Sequence, residues 1–70
     1  MKINEAIKQI RINLDLSQTA FAEQLSVSFS TVNRWENDKA VPNRLAIKAI
    51  KSLAEEQNAN DNLINLLENN

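Results

Sequence analysis

Cysteine, histidine and glycine are absent from the 70-residue sequence, and proline occurs once. Without cysteine and histidine, the chain lacks a thiolate nucleophile, a disulfide, an imidazole base and the usual zinc ligands. The remaining carboxylates, hydroxyls and amines show no pairing of a nucleophile with a base. The sequence therefore predicts a protein that is not an enzyme and that has no metal, cofactor or small-molecule ligand.

Long hydrophobic runs are absent as well. No apolar run approaches the roughly 20 residues that a membrane span requires, and the basic start lacks the hydrophobic stretch of a signal peptide. These absences predict a cytoplasmic protein without membrane contact. A chain of this length encloses one core, which excludes a multidomain enzyme.

Charge is distributed unevenly around a formal net value of -1. Residues 1–51 hold all eight basic side chains against five acidic ones, which gives +3. Residues 52–70 hold four acidic side chains and no basic one, which gives -4. Only the first part is therefore expected to face a polyanion.

Hydrophobic periodicity predicts an all-α fold, a compact bundle of four to five helices. Ile3, Ile7 and Ile10 recur at helical spacing. Capping residues mark where the later helices begin. The predicted helices are about ten residues from Ile3, Gln18 to about Leu25 after Ser17, Phe29 to about Asn37 after Ser28, a fourth after Asn43, and a short fifth capped by Asp61.

Composition divides the chain near residue 56. Residues 1–56 are predicted to form one domain, and residues 57–70 an acidic segment rich in asparagine and leucine. A short helix in that segment carries an apolar stripe over residues 63–67, which packs either on the domain or on a second copy. The fourth helix is predicted to point these residues inward: Leu45, Ile47, Ala49, Ile50 and Leu53.

Two short helices joined by a three-residue turn fit the major groove of DNA, which is about 12 Å wide. In the third helix Val32 and Trp35 share one side, which must face the core. Asparagine pairs with adenine, arginine with guanine, and an apolar group contacts the thymine methyl. The opposite side holds the predicted base-contacting residues Phe29, Ser30, Asn33 and Arg34.

Phosphate contacts are predicted at two helix starts and one loop. The free N–H groups and positive dipole at a helix start favour a phosphate oxygen. Basic and amide side chains add to this effect after the third helix. The predicted phosphate-contacting residues are Ser17, Gln18, Asn37, Lys39, Asn43 and Arg44.

Residues 16–37 follow a motif whose members are Gln18, Phe21, Ala22, Leu25, Val27, Val32, Trp35, Glu36 and Asn37. On this motif, residues 11–53 resemble the helix-turn-helix domain of the lambdoid phage repressor and Cro group, the XRE-type regulators. The resemblance implies the lambda repressor-like fold, sequence-specific binding of double-stranded DNA, and regulation of transcription as a repressor. It also implies a homodimer on a two-fold operator.

The resemblance assigns roles to individual residues. Gln18 matches a glutamine that grips phosphate and supports the third helix, the recognition helix of the family. Arg11 and Glu36 match a partly buried structural ion pair, which keeps Arg11 away from the DNA. Family glycines are replaced by Asp15, Ser26 and Asp38. At Ser26 the turn either accepts a left-handed conformation, at about 1 kcal/mol, or follows another path that tilts the recognition helix.

The pairing surface of a dimer is expected away from the base-contacting side, because recognition helices on successive groove turns lie about 34 Å apart. The end of the fourth helix and the stripe at residues 63–67 are the candidates. The alternative function is a protein-interaction module, such as an antitoxin or an adaptor. The low net charge and the acidic, leucine-rich segment favour that alternative.

Overall fold

The computed structural model describes residues 2–68, and every regular element within that range is helical. This confirms the predicted all-α fold. None of these helices has the length and apolar character that crossing a bilayer requires. The five helices are α1 (Ile3–Asn13), α2 (Gln18–Leu25), α3 (Phe29–Glu36), α4 (Arg44–Glu56) and α5 (Asp61–Glu68).

Three helices begin at the predicted capping residues. The Ser17 hydroxyl accepts the Ala20 N–H at 3.0 Å, and the Ser28 hydroxyl accepts the Thr31 N–H at 3.1 Å. The Asn43 Oδ1 atom accepts the N–H at the third position of α4 at 2.8 Å. These bonds satisfy donors that a helix start leaves open, so α2, α3 and α4 begin where the sequence predicts.

Two predicted helix boundaries were wrong by one residue. The recognition helix α3 ends at Glu36, and Asn37 is its C-cap with ψ at 12°. Asp61 is the first residue of α5 instead of its cap. The Asn60 Oδ1 atom accepts the N–H of Asn62 at 2.8 Å, and the Asn60 carbonyl accepts two further N–H groups of the helix. Both residue types cap well, so the identity of the residues could not choose between them.

All three positions where the family places glycine adopt left-handed backbone. Asp15, Ser26 and Asp38 each have φ at 59°, and Asn58 has φ at 57°. At the turn between α2 and α3, the Val27 N–H donates to the Ala22 carbonyl at 3.0 Å, which closes the end of α2. The turn therefore accepts the strain at Ser26.

One hydrophobic core joins all five helices. Val32 and Trp35 of α3 are buried in it, as the sequence predicts. The stripe of α5 lies on the same core, with Ile64 and Leu67 buried, because α5 packs against α1 and α4. The chain itself thus covers Ile64 and Leu67, which agrees with the first of the two alternatives for the stripe. Residues 69 and 70 of the predicted acidic segment lie outside the described residues.

Two of the residues predicted to face inward on α4 point to solvent. Leu45 is 76% exposed and Ala49 is exposed, whereas Ile50 and Leu53 are buried. At about 100° per residue, Leu45 lies about 140° and Ala49 about 100° away from Ile50 around the helix axis. The inward prediction at Leu45 and Ala49 was therefore wrong, and both side chains contribute to a surface described below.

Candidate nucleic-acid interface

The recognition helix α3 is anchored on one side and open on the other. Its outer face, defined as Phe29, Ser30, Arg34 and Asn37, is exposed to solvent, and Phe29 is 49% exposed. Asn33 lies at the edge of this face and is half-buried. The buried side, by contrast, fixes α3 on the core. A helix held in this way can enter a groove without losing its packing.

The side chains of Ser30 and Arg34 make no hydrogen bond or ion pair with any other residue in the range 2–68. A serine hydroxyl both donates and accepts, and a guanidinium group carries five donors in a planar fork. These two groups are therefore available to a ligand. Their position on the second helix of a short helical pair matches the geometry of groove readers.

A partly buried ion pair joins α1 to the end of α3. The Arg11 Nε atom lies 2.7 Å from Glu36 Oε2, and the second nitrogen lies 3.0 Å from Oε1. The side chains are 14% and 3% exposed, and Arg11 also donates to the Leu16 carbonyl at 2.9 Å. The hydrogen bond to Glu36 raises the pKa of Arg11, against the lowering effect of burial. Arg11 is thus a charged structural residue at any working pH.

Three side chains predicted to touch DNA are hydrogen-bonded to one another. Gln18 Nε2 donates to Glu36 Oε1 at 3.0 Å, and Asn33 Nδ2 donates to Gln18 Oε1 at 3.2 Å. Asn37 Nδ2 donates to the carbonyl and Oδ1 atoms of Asn33 at 2.8 and 3.2 Å. We call Gln18, Asn33 and Asn37 the amide chain. The family resemblance gave Gln18 a supporting role toward the third helix, but did not indicate that its partner there is Asn33, 15 positions away.

The remaining predicted phosphate contacts lie at helix starts and in one loop. Ser17 and Asn43 are N-caps, and Arg44 is the first residue of α4. Lys39 follows α3 in the loop, where its backbone N–H donates to the Arg34 carbonyl at 2.8 Å. Neither Lys39 nor Arg44 forms an ion pair with another residue between positions 2 and 68, so both charges are open to a phosphate.

A hydrophobic surface lies on the opposite side of α3 from the amide chain. Val41 and Leu45 are 73% and 76% exposed and line a groove of about 450 Å³. Thr31 of α3 borders this groove and lies about 160° around the helix from Asn33. We call it the apolar surface; its lining includes Leu25, Val27, Trp35, Val41, Leu45, Ala46 and Ala49.

Comparison with known proteins agrees with this geometry. The family model described as helix-turn-helix matches residues 7–54, which is more than half of the chain. The chain belongs to the XRE-type helix-turn-helix family. This confirms the family resemblance of residues 11–53, and membership supports DNA binding in transcription regulation.

One relative is the HTH-type transcriptional activator BcrR of Enterococcus faecalis. It is 40% identical over 50 residues, which cover 71% of this chain and 24% of the relative. The matched part of this XRE-type chain thus spans about a quarter of that relative's length. No solved structure matches the chain.

Proposed function

We propose that this chain is a cytoplasmic transcription regulator that binds a specific double-stranded DNA site, with α3 in the major groove. One observation carries the proposal: α3 is anchored by buried Val32 and Trp35 while Ser30 and Arg34 project outward without partners among residues 2–68. Phosphate contacts position such a helix, and base contacts give the specificity.

Each exposed group has a chemical task in this proposal. Arg34 donates two hydrogen bonds to guanine, Phe29 contacts a thymine methyl, and Ser30 bonds a base edge. Asn33 reads a base from the edge of the outer face. The phosphates are bound by Ser17, Gln18, Asn37, Lys39, Asn43 and Arg44.

We propose that the regulator acts as a repressor, because occupation of an operator needs no surface beyond the DNA-binding one. The relative from Enterococcus faecalis is named as an activator. A reporter gene with the bound site inside its promoter distinguishes repression from activation. Lower expression on adding the protein supports repression, and higher expression contradicts it.

We further propose that two copies bind together through the apolar surface. The stripe of α5 is covered, whereas Val41 and Leu45 remain exposed beside α3. Paired through this surface, two copies place their recognition helices in successive turns of one DNA face, about 34 Å apart. The bound site is then expected to have two-fold symmetry.

Enrichment of bound duplexes from a random pool tests the proposal. We expect one enriched sequence with two related halves. Arg34→Ala should weaken binding to that site by about 1 to 3 kcal/mol and relax the preference at one base pair. Lys39→Ala should weaken binding to all sequences alike. It should also reduce the slope of the binding constant against salt concentration, on logarithmic scales, by about one. If neither change alters binding, the groove assignment is wrong.

A second candidate is a protein-interaction module such as an antitoxin or an adaptor. The exposed Val41 and Leu45 side chains favour it, because an apolar surface beside polar residues is typical of protein contacts. Retention on random duplex DNA that disappears with added salt supports the first function. Salt-insensitive association with another protein, without retention on DNA, supports the second.

A further inference from the structure

The chemistry of Glu36 decides how every group in the amide chain is oriented. As the partner of the Arg11 guanidinium, Glu36 accepts hydrogen bonds and donates none. Gln18 must therefore turn its nitrogen toward Glu36 and its oxygen toward Asn33. This orientation follows from donor and acceptor types, because a reversed Gln18 would place its oxygen against a carboxylate.

The orientation of Gln18 in turn fixes that of Asn33. Because Gln18 presents its oxygen, Asn33 must donate from its side-chain nitrogen, which it does at 3.2 Å. Asn33 Oδ1 then faces Asn37, which donates to it at 3.2 Å. The three side chains of the amide chain thus point their donors in one direction, toward the carboxylate of Glu36.

The bonds leave Asn33 with a defined set of unused groups. An asparagine amide has two N–H donors and two acceptor lone pairs. Within residues 2–68, Asn33 uses one donor on Gln18 and one lone pair on Asn37. One donor and one acceptor remain, and adenine requires that combination through N7 and N6 in the major groove.

We propose that Asn33 reads adenine and that Gln18 and Glu36 are positioning residues that set this choice. The proposal rests on the proposed function, since it assumes that α3 enters the major groove. Without the bond to Gln18, the amide of Asn33 rotates among several orientations, and only one of them matches adenine. Gln18 therefore affects specificity at a base that it does not itself touch.

A double-mutant cycle tests this coupling. Gln18→Met keeps the side-chain length and leaves the Arg11 bonds to Glu36 intact, but removes both contacts of the Gln18 amide. Asn33→Ala removes the reading group. Each variant and the double variant are measured on the selected duplex and on duplexes with each single base pair replaced. Urea unfolding checks that every variant is folded.

The wild-type protein should prefer A·T at one base pair by about 5-fold to 150-fold, as expected for a bidentate contact. Asn33→Ala should remove this preference. Gln18→Met should reduce this preference at least threefold. It should also weaken binding to all duplexes alike, because it removes the proposed phosphate contact of Gln18. In the Asn33→Ala background, Gln18→Met should cause only the uniform loss. Gln24→Met, the same change at an exposed site on α2, should alter neither quantity.

The outcomes separate the two levels of the proposal. If Gln18→Met retains the full preference that Asn33→Ala removes, the positioning role is wrong while the groove assignment stands. If Asn33→Ala leaves every preference unchanged, Asn33 is not a reader and the inference is overturned. If the wild-type protein shows no sequence preference on any duplex, the proposed function fails and this inference fails with it.

Discussion

The two flanks of the recognition helix α3 differ in a way that polarity alone would not suggest. On one flank Arg11, Gln18, Asn33 and Glu36 are charged or polar, yet they are partly buried and bonded to one another. On the other flank the apolar surface around Leu45 is open to solvent. The polar flank is completed within the chain, and the apolar flank is where we propose that a second copy binds.

Because of this difference, we expect the polar flank to govern the stability of the fold and the apolar flank to govern the proposed pairing of two copies. Removing one member of a buried ion pair leaves an uncompensated charge, which costs much more than the loss of a surface pair. An exposed apolar side chain contributes little to folding but stabilises an interface when a partner covers it. Loss of one member of the ion pair on the first flank is therefore expected to destabilise the fold, and substitutions on the second flank are expected to weaken the proposed pairing of two copies.

The largest effect is expected on the polar flank. Arg11→Met should lower the free energy of unfolding by about 3 to 5 kcal/mol, because Glu36 then remains buried without its cation. Replacing Glu36 by methionine in the same chain should recover more than half of the loss. Urea unfolding followed by circular dichroism measures both values.

Lys8→Met provides the matched control, since Lys8 is exposed on the same helix. It should change the unfolding free energy by no more than about 0.5 kcal/mol. An equal loss in Arg11→Met and Lys8→Met would show that the bonds to Glu36 do not hold α1 and α3 together.

On the apolar flank, Leu45→Gln should leave the fold unchanged and weaken pairing of the copies. Covering a leucine stabilises an interface by about 1.5 kcal/mol or more, and a two-fold interface contains two copies, so the dimer Kd should rise about a hundredfold. Analytical ultracentrifugation with the selected duplex reports the number of bound copies.

Ile12→Gln is the control for this change, because Ile12 is half-exposed on α1, away from the groove. It should leave pairing unchanged. Pairing that survives Leu45→Gln at wild-type strength would place the interface elsewhere.

The smallest effect is expected at Ser26, where the chain turns between the two helices. Ser26→Gly should raise the free energy of unfolding by about 0.5 to 1 kcal/mol, because glycine adopts φ at 59° without the steric cost of a Cβ atom. Thermal unfolding measures the change.

The same substitution at Ser30 should lower the free energy of unfolding instead of raising it. Ser30 lies inside α3, where glycine costs about 0.5 kcal/mol relative to serine. A loss of stability in both variants would mean that the left-handed turn at Ser26 is absent in solution.

The sequence predicted what depends on local chemistry. The three capping residues Ser17, Ser28 and Asn43, and burial of Val32 and Trp35, follow from residue type and helical spacing. The family pattern indicated left-handed backbone at Asp15, Ser26 and Asp38, but not at Asn58. The inward prediction failed at Leu45 because it lies about 140° from Ile50 around the helix axis, whereas the neighbouring Ala46 and Ile47 pack against the core.

Contacts between residues far apart in the sequence could not be predicted from local patterns. The family pattern suggested the bonds between Arg11 and Glu36, but nothing local indicates that Gln18 and Asn33 meet. Their pairing depends on the angle between α2 and α3, which the turn at Ser26 sets. Base contacts and phosphate contacts stay predictions.

Nuclear magnetic resonance on the wild-type protein tests the groove assignment most directly. The selected duplex is added to ¹⁵N-labelled protein, and chemical shifts are followed at every amide and at the Arg34 side chain. We predict the largest changes in chemical shift at Ser30, Asn33 and Arg34, with α5 nearly unchanged. Changes concentrated on α5, with the outer face of α3 unaffected, would contradict it.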